Sequence, residues 1–210
     1  MKRLLLTGAT RGLGRMLARA LEARFEITAL GRSAENVADA WRHIQCDLSS
    51  PQAVEGAVLQ LQQAEPYDAV AFCAGGPMDR PKVAKNSASW EAITYLNYLS
   101  VVVLSDAVLS KNSAAKCVLI SSDSVATGNS SPAYCCAKAA LSAYGRQLEK
   151  FGYNTLLVEP PAFYGEDNYW VQVERESYDR FKSVEDKQVD GRFLTVVDVA
   201  KPILNFISLS

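Results

Sequence analysis

Six short apolar runs, rich in Leu, Ile and Val, alternate along this chain with longer segments of helical periodicity. The runs lie at Arg3–Gly8, Glu26–Gly31, Arg42–Asp47, Tyr67–Gly76, Ala115–Ser122 and Tyr153–Pro160. A strand apolar at successive positions has to be covered on both faces, and a parallel sheet between two helix layers does this. The expected fold class is therefore α/β: a doubly wound parallel sheet of six or seven strands with helices on both faces. The helical segments carry their own signals. Gly12–Phe25 places Leu13, Leu17, Ala20 and Leu21 on one face. Ser50 and Pro51 have the residue types of an N-cap and a first helical position. A helical pattern covers Ser87–Ser110. Another runs from Ser131 to Gly152, with Pro132 near its start and the glycine at its end. A last helix is expected from about Val196 to Ile207, with Pro202 distorting it or marking an early turn.

At 210 residues a single domain, 1–210, is expected. With 22 basic and 23 acidic side chains and no basic stripe, the electrostatic footprint of a nucleic-acid binder is missing. The first apolar run, Leu4–Leu6, is too short for a signal-peptide core, and no stretch is expected to span a membrane. The five cysteines (Cys46, Cys73, Cys117, Cys135, Cys136) show no CxxC spacing, and there is one histidine, His43. No metal site is expected, and His43 reads as a strand or surface residue. An odd number of thiols without an export signal fits a reducing cytoplasm.

Ligands of a doubly wound sheet bind beyond the carboxyl ends of the strands, where strand order reverses. The first strand ends there in "TGATRGLG", at the start of a helix. Gly8, Gly12 and Gly14 let backbone approach a pyrophosphate, which a helix N-terminus attracts. After the second strand stands "GRS", with no acid to accept from a ribose 2′-OH. Arg32 offers a bidentate partner for a 2′-phosphate, and Arg11 in the glycine turn is a second. NADP(H) is therefore the expected cofactor, with NAD(H) possible.

The spacing of "TGATRGLG" resembles the TGxxxGxG motif of the short-chain dehydrogenase/reductase family, single-domain branch, over about Lys2 to Pro161. The resemblance implies a Rossmann fold, a nicotinamide cofactor and an oxidoreductase. It implies cofactor contacts from Gly8, Thr10, Arg11, Gly12, Leu13 and Gly14 in the turn, and from Arg32 and Ser33 after the second strand. Asp47 and Leu48 fall at the adenine. Ala74 and Gly75 in "CAGG" match the family's NAG turn. Cys73 stands there in place of the asparagine, whose side chain stabilises the turn in the family. Pro160 closes the sixth strand.

The segment "YCCAK" puts Tyr134 and Lys138 four positions apart on one helix face. A free tyrosine titrates near ~10, and a neighbouring ammonium lowers such a value. Tyr134 is thus expected to be shifted toward neutral pH as a general acid/base, and Cys135 and Cys136 to pack as small apolar residues. YxxxK is also the catalytic pair of the family. The resemblance assigns the lysine to the nicotinamide ribose and a serine after strand five to the substrate oxygen. Ser122, twelve residues before Tyr134, is the best match, with Ser121 and Ser124 remaining open. It assigns Asn97 to a water that links the lysine to solvent.

The chain departs from the pattern after the sixth strand, where "EPPAFYGED" has Pro161 in place of the family glycine. "PPAFYG" is similar to a segment of the family's extended branch, but only about fifty residues follow Pro160. The usual last strand ending in Asp-Gly-Gly is absent. Residues 163–192 are expected to form a substrate lid. Within it Tyr164, Tyr169, Trp170, Tyr178 and Phe181 form either an apolar pocket wall or an ordinary core-facing stripe. The function implied is carbonyl/alcohol interconversion on a small organic molecule. A sugar- or polyketide-modifying ketoreductase and a non-catalytic NADP(H)-binding regulator are the alternatives. A homodimer or homotetramer through the Ser87–Ser110 and Ser131–Gly152 helices is implied by the resemblance.

Overall fold

The computed structural model describes residues 1–35, 37–76 and 87–209. Six strands form one parallel sheet: β1 (Lys2–Thr7), β2 (Phe25–Gly31), β3 (Arg42–Gln45), β4 (Ala69–Phe72), β5 (Lys116–Ile120) and β6 (Thr155–Val158), in the order β3-β2-β1-β4-β5-β6. The chain winds outward from β1 to β3, crosses back to β4 and winds the other way. The order therefore reverses between β1 and β4. The crevice of the fold opens there, at the strand ends carrying Gly8 and Ala74.

The alternation along β1 shows why the strands read as continuous apolar runs. Leu5 faces a core built with α2 (Pro51–Gln63), α4 (Ser100–Leu109) and α6 (Pro132–Lys150). Leu4 and Leu6 face the opposite core, built with α1 (Gly12–Leu21) and α9 (Val196–Ser208). All three leucines are fully buried, so neither face of the strand tolerates a polar side chain. The local signals hold where they are backed by hydrogen bonds. Ser50 caps α2 by accepting from Ala53 N, and Ser131 caps α6 by accepting from Tyr134 N. Thr195 and Asp198 close a capping box at the start of α9, and the helix runs on through Pro202 to Ser208.

Three features add to what the sequence suggests, the first of them a departure from it. The apolar helical run after β4 is not uniform: α3 (Ser87–Thr94) leads into a π-turn at Tyr95–Leu99 before α4 begins. Together Ser87–Leu109 has the length and mean hydropathy, 1.6, of a membrane span. Here it is a core helix, packed against α2 and α6. The lid aromatics, thirdly, pack on one another. Tyr164 meets Phe181 edge-on, Trp170 and Phe181 lie against Phe193, and Tyr178 stacks on Phe181. They form a small satellite core with α7 (Tyr169–Glu176) and α8 (Tyr178–Glu185). It is anchored by a two-stranded parallel pairing of β7 (Phe163–Tyr164) with β8 (Leu194–Thr195).

Candidate active site

The glycine turn is built by close approach rather than by flexibility. A Cβ on Gly14 would lie 2.2 Å from the carbonyl oxygen of Gly8, and one on Gly8 would lie 2.9 Å from the Ala74 nitrogen. Gly8 also has φ 71°, a conformation that favours glycine. Thr7, at the end of β1, accepts a hydrogen bond from Ala74 N at 3.1 Å. This side chain ties the β4 turn to β1 where the sequence has Cys73 instead of an asparagine. Thr10 lies half-buried between the glycines. α1 has no side-chain cap: Arg11, at its N-cap, is extended and exposed. Among the described residues, the N–H groups of Leu13 and Gly14 have no hydrogen-bond partner. Unpaired amides at a helix N-terminus, backed by glycines that let a ligand approach, fit a pyrophosphate.

Across this turn lies an interaction that sequence reasoning missed. The segment Gly165–Asn168 folds back onto α1. Gly12 N donates to the Glu166 carbonyl oxygen. Arg15 reaches Glu166 at 3.1 Å and Asp167 at 2.9 Å. Arg15 thereby bridges two carboxylates beside the glycine turn, and Arg175, 3.6 Å from Asp167, adds the second cation. The charges in "GLGR" and "YGED" are visible in sequence, but nothing there indicates that they meet across 151 positions.

At the β2 end, Arg32 is exposed and its carbonyl accepts from Gln45. Ser33 accepts from Glu35 N. Asp47 accepts from the backbone and hydroxyl of Ser49. These bonds, with a smaller contribution from Arg32, hold its carboxyl below the usual carboxylate range. Leu48 is a core residue, 5% exposed, so any ligand contact there comes from backbone. His43 sits on β3, its ring nitrogen 3.2 Å from the Gly31 oxygen.

On the other side of the crevice, α6 presents Tyr134 and Lys138 to the ends of β4 and β5. Lys138 is buried, and its Nζ donates to the Ile120 carbonyl at 2.7 Å. It lies 5.8 Å from the centre of the Tyr134 ring. A Cβ on Gly75 would come within 2.9 Å of Asn97 Oδ1 and 3.2 Å of Lys138 Nζ, so Gly75, Asn97 and Lys138 meet at one point. Asn97 is fully buried. Its Oδ1 accepts from Gly76 N at 2.9 Å, and its Nδ2 donates to Gly76 O and to Ile93 O. The Ile93 bond sits at the π-turn, so the irregular turn and the asparagine act as one device that holds the β4 turn.

The three serines after β5 separate cleanly. Ser122 lies close enough to Tyr134 to oppose the rise in its pKa, and its hydroxyl also approaches Asp123 Oδ1 at 3.4 Å and accepts from Ser124 N. Ser121 turns away, toward the Lys138 carbonyl and Ser142. Ser124 has a buried hydroxyl without a partner among the described residues. Pro160 is buried, and its carbonyl accepts from Asp123 N, joining the β6 end to the Ser122 turn. Pro161 is half-buried beside it.

The electrostatics reverse one expectation. Burial pushes the Tyr134 hydroxyl up to about 12, and Ser122 only partly opposes this. Burial brings Lys138 down to about 8, with Cys73 opposing. Proximity of a cation to a phenol counts for less here than the removal of both from water. Tyr134 is therefore firmly protonated in this state of the protein, an acid rather than a phenolate.

The sequence profile of the short chain dehydrogenases matches residues 2–155. The chain belongs to the short-chain dehydrogenase family. It is thus an NAD(P)-dependent oxidoreductase with a Rossmann-type sheet. Among solved structures, 4-hydroxyisoleucine dehydrogenase complexed with NADH is similar at a TM-score of 0.84 and 22% identity, covering 99% of this chain and 91% of that one. An actinorhodin polyketide ketoreductase with NADPH follows at 0.81 and 19%, covering 99% and 90%. A family oxidoreductase from Burkholderia thailandensis has a TM-score of 0.80 and 24% identity, covering 99% and 85%. At such identities these likenesses bear on the fold. No curated protein sequence matches this chain. The topology of this short-chain dehydrogenase also accounts for the missing terminal motif: α9 follows β8 directly, and among the described residues no seventh strand joins the main sheet.

Proposed function

We propose that this short-chain dehydrogenase is an NADP(H)-dependent reductase of a carbonyl group on a small organic molecule. The observation that carries this reading is the convergence of Ser122, Tyr134 and Lys138 at the crevice end of the sheet, where Lys138 Nζ lies 5.8 Å from the centre of the Tyr134 ring and donates to the carbonyl at the end of β5. A bound nicotinamide supplies or accepts the hydride. Residues Gly8, Thr10, Arg11, Gly12, Leu13 and Gly14 hold the pyrophosphate side, and Arg32, Ser33, Asp47 and Leu48 the adenosine side. Ala74, Gly75 and Pro160 flank the nicotinamide ribose, with Lys138 as its donor. Ser122 orients the substrate oxygen and Tyr134 delivers a proton to it. Asn97 keeps the β4 turn in place, and its Oδ1, which accepts from Gly76 N and has a second lone pair beside Lys138, holds the water that links the lysine to solvent. Residues 163–192 form the lid, the domain being otherwise single. The free thiols suit a reducing cytoplasm, and a homodimer or homotetramer would use the α3–α4 and α6 helices. Consumption of NADPH at 340 nm, measured against ketones and aldehydes including polyketide- and sugar-derived ones, tests the reading. Tight NADPH binding without oxidation of any of them would favour the non-catalytic regulator.

Two expected outcomes follow from the charges. With no acid after β2, Arg32→Asp lowers NADP(H) affinity and raises that for NAD(H). Loss of a charge-assisted phosphate bond costs ~1.5–3 kcal/mol, and titration of cofactor fluorescence measures it. Tighter NAD(H) than NADP(H) binding by the unaltered protein would refute the preference. The second concerns pH. Because burial raises the Tyr134 hydroxyl, its acid form persists through neutral pH. The carbonyl-reduction rate is therefore expected to stay level from about pH 6 to 8, while alcohol oxidation, which needs the phenolate, climbs with pH. Rate profiles in both directions check this, and an oxidation rate that fell with rising pH would contradict it.

A further inference from the structure

One stripe of α6, Lys138, Ser142 and Arg146, advances four residues at a time and faces the carboxyl ends of β5 and β6. Only the first of these has a part in the proposed chemistry. The other two belong to a network of short polar contacts with Ser121 and Glu159, in which two serine protons are shared among three acceptors. Ser121 N donates to the Val158 carbonyl at 2.7 Å, joining the ends of the two strands. The Ser121 hydroxyl lies 3.0 Å from the Lys138 carbonyl and 2.7 Å from the Ser142 hydroxyl. Ser142 Oγ donates to Glu159 Oε1 at 2.6 Å, and Glu159 is the residue after Val158. Arg146 holds both oxygens of the same carboxylate at 3.2 Å. Ser121 and Ser142 are 3% and 0% exposed. Buried hydroxyls cost stability unless paired, and methyl groups would fill the same space without that cost.

The packing around the network explains what it adds. α6 lies on the sheet through small residues: a Cβ on Gly145 would come within 3.0 Å of Leu119 and 3.3 Å of Leu157. Apolar packing of this kind sets how close the helix comes but is non-directional along the axis. The hydrogen bonds are directional. They grip the backbone of the lysine residue itself, one position from Ser122 on the strand side.

We propose that Ser142 and Glu159 are positioning residues, which through Ser121 hold helix α6 in the axial register that brings Lys138 and Tyr134 to Ser122. This rests on the reading of those three residues as the reacting centre. Misplacement of reacting groups by even 1 Å is costly to turnover. Ser142→Ala removes only a hydroxyl, whereas Glu159→Ala removes the acceptor together with the carboxylate that Arg146 holds. Each should lower kcat about tenfold and, because Lys138 is also the proposed donor to the nicotinamide ribose, raise the KM for NADPH, and the double variant should be no worse than either, because both break one chain. Glu159→Gln keeps an acceptor for Ser142 while losing the charge on Arg146, and should retain nearly full kcat. A readout without turnover runs in parallel: the Lys138 13Cε resonance in lysine-labelled protein, assigned with Lys138→Arg. It should shift in Ser142→Ala and Glu159→Ala and stay in place in Glu159→Gln. An unmoved resonance in the alanine variants, or Glu159→Gln behaving like Glu159→Ala, would overturn the proposal. Failure of the unaltered protein to reduce any carbonyl while the resonance still moves would instead discard the reductase reading and leave the network's positioning role standing.

Discussion

Tyr134→Phe is expected to bind NADPH as the unaltered protein does and to lose about 10²–10⁴-fold in turnover, the usual contribution of a general acid. The phenyl ring fills the same space, so folding and the hydrophobic packing of α6 persist. What disappears is the phenolic proton, the acid of the proposed step. The size of the effect depends on the tyrosine being the sole acid within reach. Lys138 is committed to the Ile120 carbonyl at 2.7 Å, and Asp123, whose carboxyl burial pushes up, is bonded to Ser122. Measuring kcat for reduction together with the NADPH dissociation constant separates chemistry from binding. A variant with undiminished kcat would remove Tyr134 from the mechanism.

Gly14→Ala is expected to be the most damaging single change in the nucleotide crevice. A methyl group 2.2 Å from the Gly8 oxygen meets backbone, which cannot rotate aside as a side chain can. The first turn of α1 has to move away from the loop, spoiling both the packing of Leu13 and Leu17 and the aim of the α1 amides. Overpacking of this kind costs ~1–3 kcal/mol or more. For a domain of this size that lowers the melting temperature by about 2–4 °C for each kcal/mol. Cofactor protection against heat should vanish with it. Thermal melts with and without NADPH measure both, and an alanine variant with an unchanged melt and full protection would show that the close approach is not needed. Gly56→Ala, inside α2, is the control: a Cβ there meets nothing within 4 Å and the backbone is helical, so its melt and its cofactor protection should not fall.

Much of the architecture was legible because strand burial and helix periodicity are local properties. Leu4–Leu6, the glycine spacing, the serine caps and the i, i+4 pair all carry their meaning within a few residues. The strand count was open in the sequence, and tertiary packing settled it at six in the main sheet. Periodicity also hid the π-turn at Asn97, since apolar residues continue smoothly on both sides of it. The aromatic residues of 163–192 could be read as a pocket wall or as a core. In the structure they pack around Phe181 and Phe193, which are buried, while Tyr178 stays exposed, because a segment joined to the sheet at few points needs its own apolar centre.

The sequence by itself determined the order of strands and helices, the end of the sheet at which ligands bind, and the residue types gathered there, since each depends on patterns that repeat within a turn or a strand. Only the tertiary structure decided which serine meets Tyr134, that Arg15 closes on Glu166 and Asp167, and in which direction the tyrosine and lysine titrate. Those depend on distances between residues far apart in the chain and on how much water their packing excludes, and solvation is a property of the assembled fold.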